Sequence, residues 1–175
     1  MPLKGTTTGS SYENELKRIL EGRPLPADMR SLSPPEKNAY YLLEKHPFLV
    51  IRAAGSFGCD LVALRPDVAF PIEVKSSKSE VVRFGGRREQ QQAVDFMTEC
   101  RRPGVIPVYA HRLKGIRGDK WRLFRLPVDR ATGFDAAGTL AFSLPVLPRT
   151  KAGNFKLDWY KGLPLWDLIL RLSEL

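Results

Sequence analysis

Cysteine and histidine are scarce in this chain of 175 residues, which holds two of each: Cys59 and Cys100, His46 and His111. Two thiols cannot build a disulfide framework, and neither the thiols nor the isolated imidazoles have the spacing of a zinc site. The histidines are therefore expected on the surface or in the core. Acid is also short: 19 Asp and Glu against 28 Lys and Arg leave a net charge of +9. No apolar run approaches the roughly 20 residues a membrane span needs. The opening stretch MPLKGTTTGSSYE lacks the apolar segment of a secretory signal. Walker loop, nucleophile elbow and dinucleotide fingerprint are all missing. These absences set the expectation: a protein of the reducing cytoplasm, cellular or virus-encoded, with no membrane partner and no nucleotide cofactor. Its pI of about 9.8 favours a polyanion, nucleic acid before anionic lipid.

At 43% hydrophobic residues the chain can bury a real core, and its length suits one domain over 1–175. Residues 1–9 are small and polar and are expected to form an arm. A helix follows, with Ser10 or Ser11 as N-cap, running through Leu16, Ile19 and Leu20. Ser10-Ser11-Tyr12-Glu13 has the spacing of a capping box. Glu13 also shares a helical face with Leu16 and Leu20, an unusual place for an acid that only caps. Residues 22–36 carry four prolines and read as a loop, with helical composition resuming over 37–45. Phe48 to Arg52 is a predicted strand.

The segment from Gly55 to Lys78, GSFGCDLVALRPDVAFPIEVKSSK, reads as two apolar strands, 60–64 and 69–76, around a turn at Pro66-Asp67. A tight turn there pairs Asp60 with Glu73 on one face, Cβ atoms roughly 5 Å apart. Lys75 lies two residues on, so it projects from that same face. Charge beside apolar strands is costly unless it is paired or binds a metal. Basic residues 78–88 read as a connector, and a helix is predicted over 89–101. In that helix Ala93, Phe96, Met97 and Cys100 form the buried stripe, Gln90 points to the core side, and Gln91 and Gln92 face water. Strands are expected at 105–110 and 120–126, around a loop in which Arg112, Lys114 and Arg117 continue a strongly basic run. Residues 127–153 look loop-rich with a short strand at 140–144. A last strand at 155–160 and an apolar helix at 165–172, opened by Pro164, complete the α/β pattern.

Glu13, Asp60, Glu73, Lys75 and Gln90 together suit a metal-assisted phosphodiesterase site. Paired carboxylates offer hard oxygens to Mg²⁺ or Mn²⁺, and a lysine offsets negative charge developing on a phosphate. Spacing alone leaves a second reading open, in which Glu73 and Lys75 are a surface ion pair and Asp60 caps a turn.

Four strings then fall in a distinctive order: Gly9-x-x-x-Glu13-x-Glu15-Leu16, Val50-Ile51-Arg52-Ala53-Ala54-Gly55-Ser56, Asp60-Leu61-Val62-Ala63 and Ile72-Glu73-Val74-Lys75. With Ile106-Pro107-Val108 and Trp121-Arg122-Leu123-Phe124 further on, the chain resembles the archaeal-type Holliday junction resolvases of the PD-(D/E)xK nuclease superfamily. The likeness spans most of residues 5–126 and, more faintly, 155–172. It implies a restriction-endonuclease-like fold, a central mixed β-sheet flanked by α-helices. It implies a homodimer that nicks four-way junction DNA symmetrically. It makes Asp60, Glu73, the Val74 carbonyl and Glu13 the metal set, and Lys75 the catalytic lysine. Arg52 and Ser56 match positions near the scissile phosphate, and Gln90 matches a glutamine at the head of the following helix. Lys78, Arg83, Arg87, Arg88, Arg112, Lys114 and Arg117, with Arg52, are the expected DNA contacts. Departures are Asn14 in place of an arginine, an apparent insertion at 21–44 and a long segment at 127–154. The competing readings are a related nuclease acting on other branched or damaged DNA, and a DNA-binding protein that has the fold without the activity.

Overall fold

The computed structural model describes residues 8–53, 58–129 and 133–174. Helix α1 (Thr8–Leu20) buries Leu16, Ile19 and Leu20, the i, i+3, i+4 stripe of the sequence. It starts before Ser10, so neither serine is its N-cap, and the expected capping box is replaced by a longer-range partner for Glu13. The box lies instead at Ser33, whose N–H donates to Glu36 at 2.7 Å. Proline misleads in the same region. The supposed loop 22–36 contains α2 (Pro26–Met29) and the start of α3 (Pro34–Lys45), because proline suits the first helical turn.

β1 (Leu49–Arg52), β2 (Leu61–Arg65) and β3 (Val68–Ser77) form an antiparallel meander. The predicted connector hides β4 (Val81–Arg83), and α4 (Arg87–Arg101) returns the chain to β5 (Val108–Leu113), which runs parallel to β3. β6 (Trp121–Arg125) pairs antiparallel with β5. The expected strand at 140–144 is the end of a helix, α5 (Ala136–Ser143), capped by Asp135, which accepts from Gly138 N at 2.7 Å. β7 (Lys156–Asp158) pairs with β4 in a small second sheet, a 3₁₀ turn spans Trp159–Lys161, and β8 (Leu163–Pro164) joins the edge of β6. Helix α6 (Leu165–Ser173) closes the chain.

The main sheet has the order β1-β2-β3-β5-β6-β8, with one parallel pair among antiparallel ones. Its core has two parts. Leu16, Tyr40, Leu61, Ile72, Trp121 and Leu168 join the sheet to α1, α3 and α6; Phe84, Phe96, Tyr109, Phe124 and Phe155 join the other side to α4 and the small sheet. Buried Asp119 ties the first part together: it accepts from Tyr40 Oη at 2.9 Å, Trp121 N at 3.0 Å and Trp166 N at 2.9 Å. The last of these satisfies an N–H in the first turn of α6.

Candidate active site

The β2–β3 hairpin has the register its turn dictates, from Arg65 opposite Val68 to Leu61 opposite Ile72. Asp60 then leaves the ladder. Its N–H donates to the Ile72 carbonyl at 2.8 Å, while its Oδ2 accepts from Val74 N at 2.7 Å. The carboxylate is thereby aimed along the end of β2, beside Glu73. Strand geometry turns the Val74 carbonyl to the same side as its N–H, toward Asp60. Gly58 makes the approach to α4 possible. It sits at φ +70°, and a Cβ there would lie 3.1 Å from Cγ of Gln92.

Glu73 is 3% exposed. Its Oε1 accepts from Lys75 Nζ at 2.7 Å and from Gln92 Nε2 at 3.3 Å. Burial pushes the Glu73 carboxyl up to about 7; Lys75 pulls it down and Asp60 pushes it up again. The same two acids add to burial in raising the Tyr109 hydroxyl and the Cys59 thiol. Next to Lys75 in the parallel pair stands His111, fully buried, its pKa lowered to about 4 by desolvation. Ser77 Oγ donates to the Ser79 carbonyl at 2.5 Å, so His111 Nε2 must donate to Ser77 Oγ, 2.7 Å away. His111 Nδ1, buried, has no partner among the described residues.

The other predicted residues divide. Glu13 pairs with Arg52 at the end of β1, and Arg52 also donates to Asn14 at 3.2 Å. Glu13 thus reaches the rim of the site. Among the described residues no group of three or more His, Cys, Asp or Glu converges, so Glu13 does not join Asp60 and Glu73 as a third acid. Ser56 lies outside the described residues. Gln90 is corrected: its amide accepts from Phe155 N at 3.1 Å and donates to the Phe84 and Phe155 carbonyls at 3.3 Å, which fastens α4 to the small sheet. The glutamine at the acids is Gln92, expected in water. Arg112 is also corrected. Both Glu15 oxygens accept from its Nε at 2.9 Å, and its guanidinium lies 4.3 Å from the Tyr12 ring centroid. That bolts β5 to α1 and leaves little of the side chain for DNA. Lys78, Arg83, Arg87, Arg88 and Arg117 are exposed, and Lys114 is half-buried over Tyr12.

The chain is an α/β protein, a six-stranded mixed sheet flanked by helices with an acid pair and a lysine at one hairpin. The family model for archaeal Holliday junction resolvase (hjc) matches residues 27–175, and the chain belongs to that family of junction-resolving endonucleases. The match does not extend over α1. A solved structure of Archaeoglobus fulgidus Hjc, a Holliday junction resolvase from an archaeal hyperthermophile, is 28% identical. That likeness covers 77% of this chain and 91% of that one, at a TM-score of 0.46.

Proposed function

We propose that this single nuclease domain resolves four-way DNA junctions as a homodimer, by paired symmetric nicks that depend on Mg²⁺ or Mn²⁺ held at Asp60, Glu73 and the Val74 carbonyl. The observation that carries the site is the buried Glu73 carboxyl, raised to about 7 between Asp60 and Lys75. Two carboxylates so close, with one lysine against them, are short of positive charge. Each also keeps an oxygen beyond those committed to Val74 N, Lys75 and Gln92. That donor set fits a hard divalent cation. Such an ion supplies charge neutralisation at the phosphodiester and a more acidic water.

The protein's own groups do the rest. Gln92 and Lys75 fix the Glu73 carboxylate, and the Lys75 ammonium, whose side chain is 34% exposed, can also reach a substrate oxygen as charge builds on it. Arg52, held at the rim by Glu13 and Asn14, is placed to take a phosphate next to the one being cut. Ser56 is proposed for the same phosphate side. Exposed Lys78, Arg83, Arg87 and Arg88 supply backbone contacts that follow junction shape and charge with little base readout.

A junction with approximate two-fold symmetry needs two opposed sites, which favours a two-fold dimer. Edge strand β1 supports this: Leu49 and Ile51 are 62% and 49% exposed, while Val50 between them is buried. No helix among the described residues is long and apolar enough to cross a membrane. The test compares a synthetic four-way junction with linear duplex of the same sequence, in Mg²⁺, alongside light scattering. The expected result is junction cleavage well above duplex cleavage by a particle of two chains. Equal cutting of both substrates overturns junction specificity and favours a nuclease for other damaged or branched DNA; a one-chain mass with and without DNA overturns the dimer.

A further inference from the structure

The segment that looks like an insertion, α2 and α3, is built against the basic β5–β6 loop. Gly118 N donates to the Ser31 carbonyl at 3.1 Å, and Asp119 N donates to Glu36 at 3.2 Å. Tyr40 reaches Asp119 from the middle of α3 at 2.9 Å. The loop's other end is also tied, Lys114 N donating to the Ser77 carbonyl at 2.8 Å. These four contacts tie the loop to α2, α3 and β3, and Lys120 O, accepting from Leu113 N at 3.0 Å and from Trp159 Nε1 at 3.1 Å, fixes its far end, so the positions of its cations are set by the fold.

The same contacts also determine what stands beside it. Arg30 and Arg117, both exposed, each precede one partner of the Ser31–Gly118 hydrogen bond, so the two residues are brought close from the two segments. Lys37 follows Glu36 on α3. Among the described residues no carboxylate pairs with Arg30, Lys37 or Arg117. Nearby acids are committed elsewhere: Asp28 to Arg18, Glu36 to Ser33 N and Asp119 N, and Asp119 to its three donors with Arg122 close by. The patch is net positive.

Its position matters. β3 runs parallel to β5 and carries Glu73, Lys75 and Ser77 toward the end of the sheet where the loop begins, and Lys114 lies 5.2 Å over the Tyr12 ring of α1. Glu73 stands opposite Tyr109 near the start of β5 and touches Gln92 of α4, whereas the loop follows Leu113 and α3 packs on the other side of the sheet, so the patch lies apart from the acid pair.

We propose that α2 and α3 form, with the β5–β6 loop, a second phosphate-binding surface that holds a DNA arm away from the strand being cut, Arg30, Lys37 and Arg117 being its contacts and Glu36 and Tyr40 its positioning residues. The proposal rests on the nuclease reading above. Its test is the salt dependence of junction binding by the full chain, wild type against Arg30→Gln/Lys37→Gln, with Arg30→Lys/Lys37→Arg as the charge-preserving control. Each phosphate contact contributes about 0.9 to the slope of log K against log salt, so the neutral pair should be shallower by about two. The control should keep the wild-type slope. An unchanged slope in the neutral pair overturns the surface, as does an equal loss in the control. Wild type that neither binds nor cuts the junction overturns the function itself, a result distinct from either.

Discussion

Glu73 holds a carboxyl group where water hardly reaches, and burial alone would keep it neutral. Lys75 and Gln92 are what hold its charge in place, and among the described residues the Gln92 side chain has no other hydrogen-bond partner. Losing one donor to a buried charged group costs about 1–3 kcal/mol, so Gln92→Ala should slow single-turnover junction cleavage by roughly 10–100-fold. Gln90→Ala should instead leave that rate nearly unchanged and lower unfolding free energy by about 1–2 kcal/mol, because it detaches α4 from Phe84 and Phe155. The reverse pattern in cleavage and urea titrations would return Gln90 to the site. Sequence could not separate these two side chains. At about 100° per residue they flank the Ala93–Phe96–Cys100 stripe on opposite sides at similar angles, and only the tertiary fold says which flank meets Glu73. A pH effect follows from His111. Its folded pKa, about 4, lies below the unfolded value of about 6.5, so the unfolded chain alone takes up a proton as pH falls between them. Its contribution is complete above pH 6.5 and is lost on the way down to 4. Wild type should therefore lose about 2 kcal/mol from pH 6.5 to 5 relative to His111→Gln, measured by urea unfolding. Parallel curves for the two proteins would show that His111 titrates in the fold as it does in the unfolded chain.

Among the elements, the β2–β3 hairpin was the most legible. Its turn chemistry and alternation are local, so Pro66-Asp67 and the buried Leu61, Ala63, Phe70 and Ile72 dictate one register. The departure at Asp60 was not legible, because it depends on Ala53 N donating to the Asp60 carbonyl from β1. β4 escaped notice for a related reason. It is three residues long, largely exposed, and becomes a strand by pairing with β7, far along the chain. The short strand expected at 140–144 gives way to a helix capped by Asp135, with Leu140 and Leu144 both buried. The prolines before α3 look like breakers in sequence and serve as a helix start. Ala39, Tyr40 and Leu43 then pack α3 into the core, and the Tyr40–Asp119 hydrogen bond adds a buried polar tie. Burial pushes the Asp119 carboxyl up to about 6, against the pull of its three donors. Removing one hydrogen bond to a buried, largely ionised group should cost about 1.5–3 kcal/mol. Tyr40→Phe, which deletes only the hydroxyl, is predicted to lower thermal or urea stability by that amount. No change would mean that Asp119 is satisfied without α3.

For the whole molecule, net charge and site geometry agree. Twenty-eight basic residues against 19 acids give a surface suited to phosphates, while the two acids at the site stand together at the start of β2 and midway along β3. A protein that only bound DNA would gain from losing the Asp60–Glu73 pair, whose charge repels phosphate; a nuclease needs it. Family membership names the substrate, the sheet places the hairpin, and the exposed Lys78, Arg83, Arg87 and Arg88 are the proposed source of an affinity that should weaken steeply with salt. The separation of binding from cutting is thus the central claim. Its most direct measurement uses a four-way junction labelled in turn on each strand and incubated in Mg²⁺ with wild type, Asp60→Asn and Glu73→Gln, next to a gel shift of the same proteins without the metal. The predicted result is paired symmetric nicks by wild type, and a loss on the order of 10³-fold or more in both variants, about 4 kcal/mol of barrier, with junction binding retained. Full cleavage by either variant would contradict the assignment of the site.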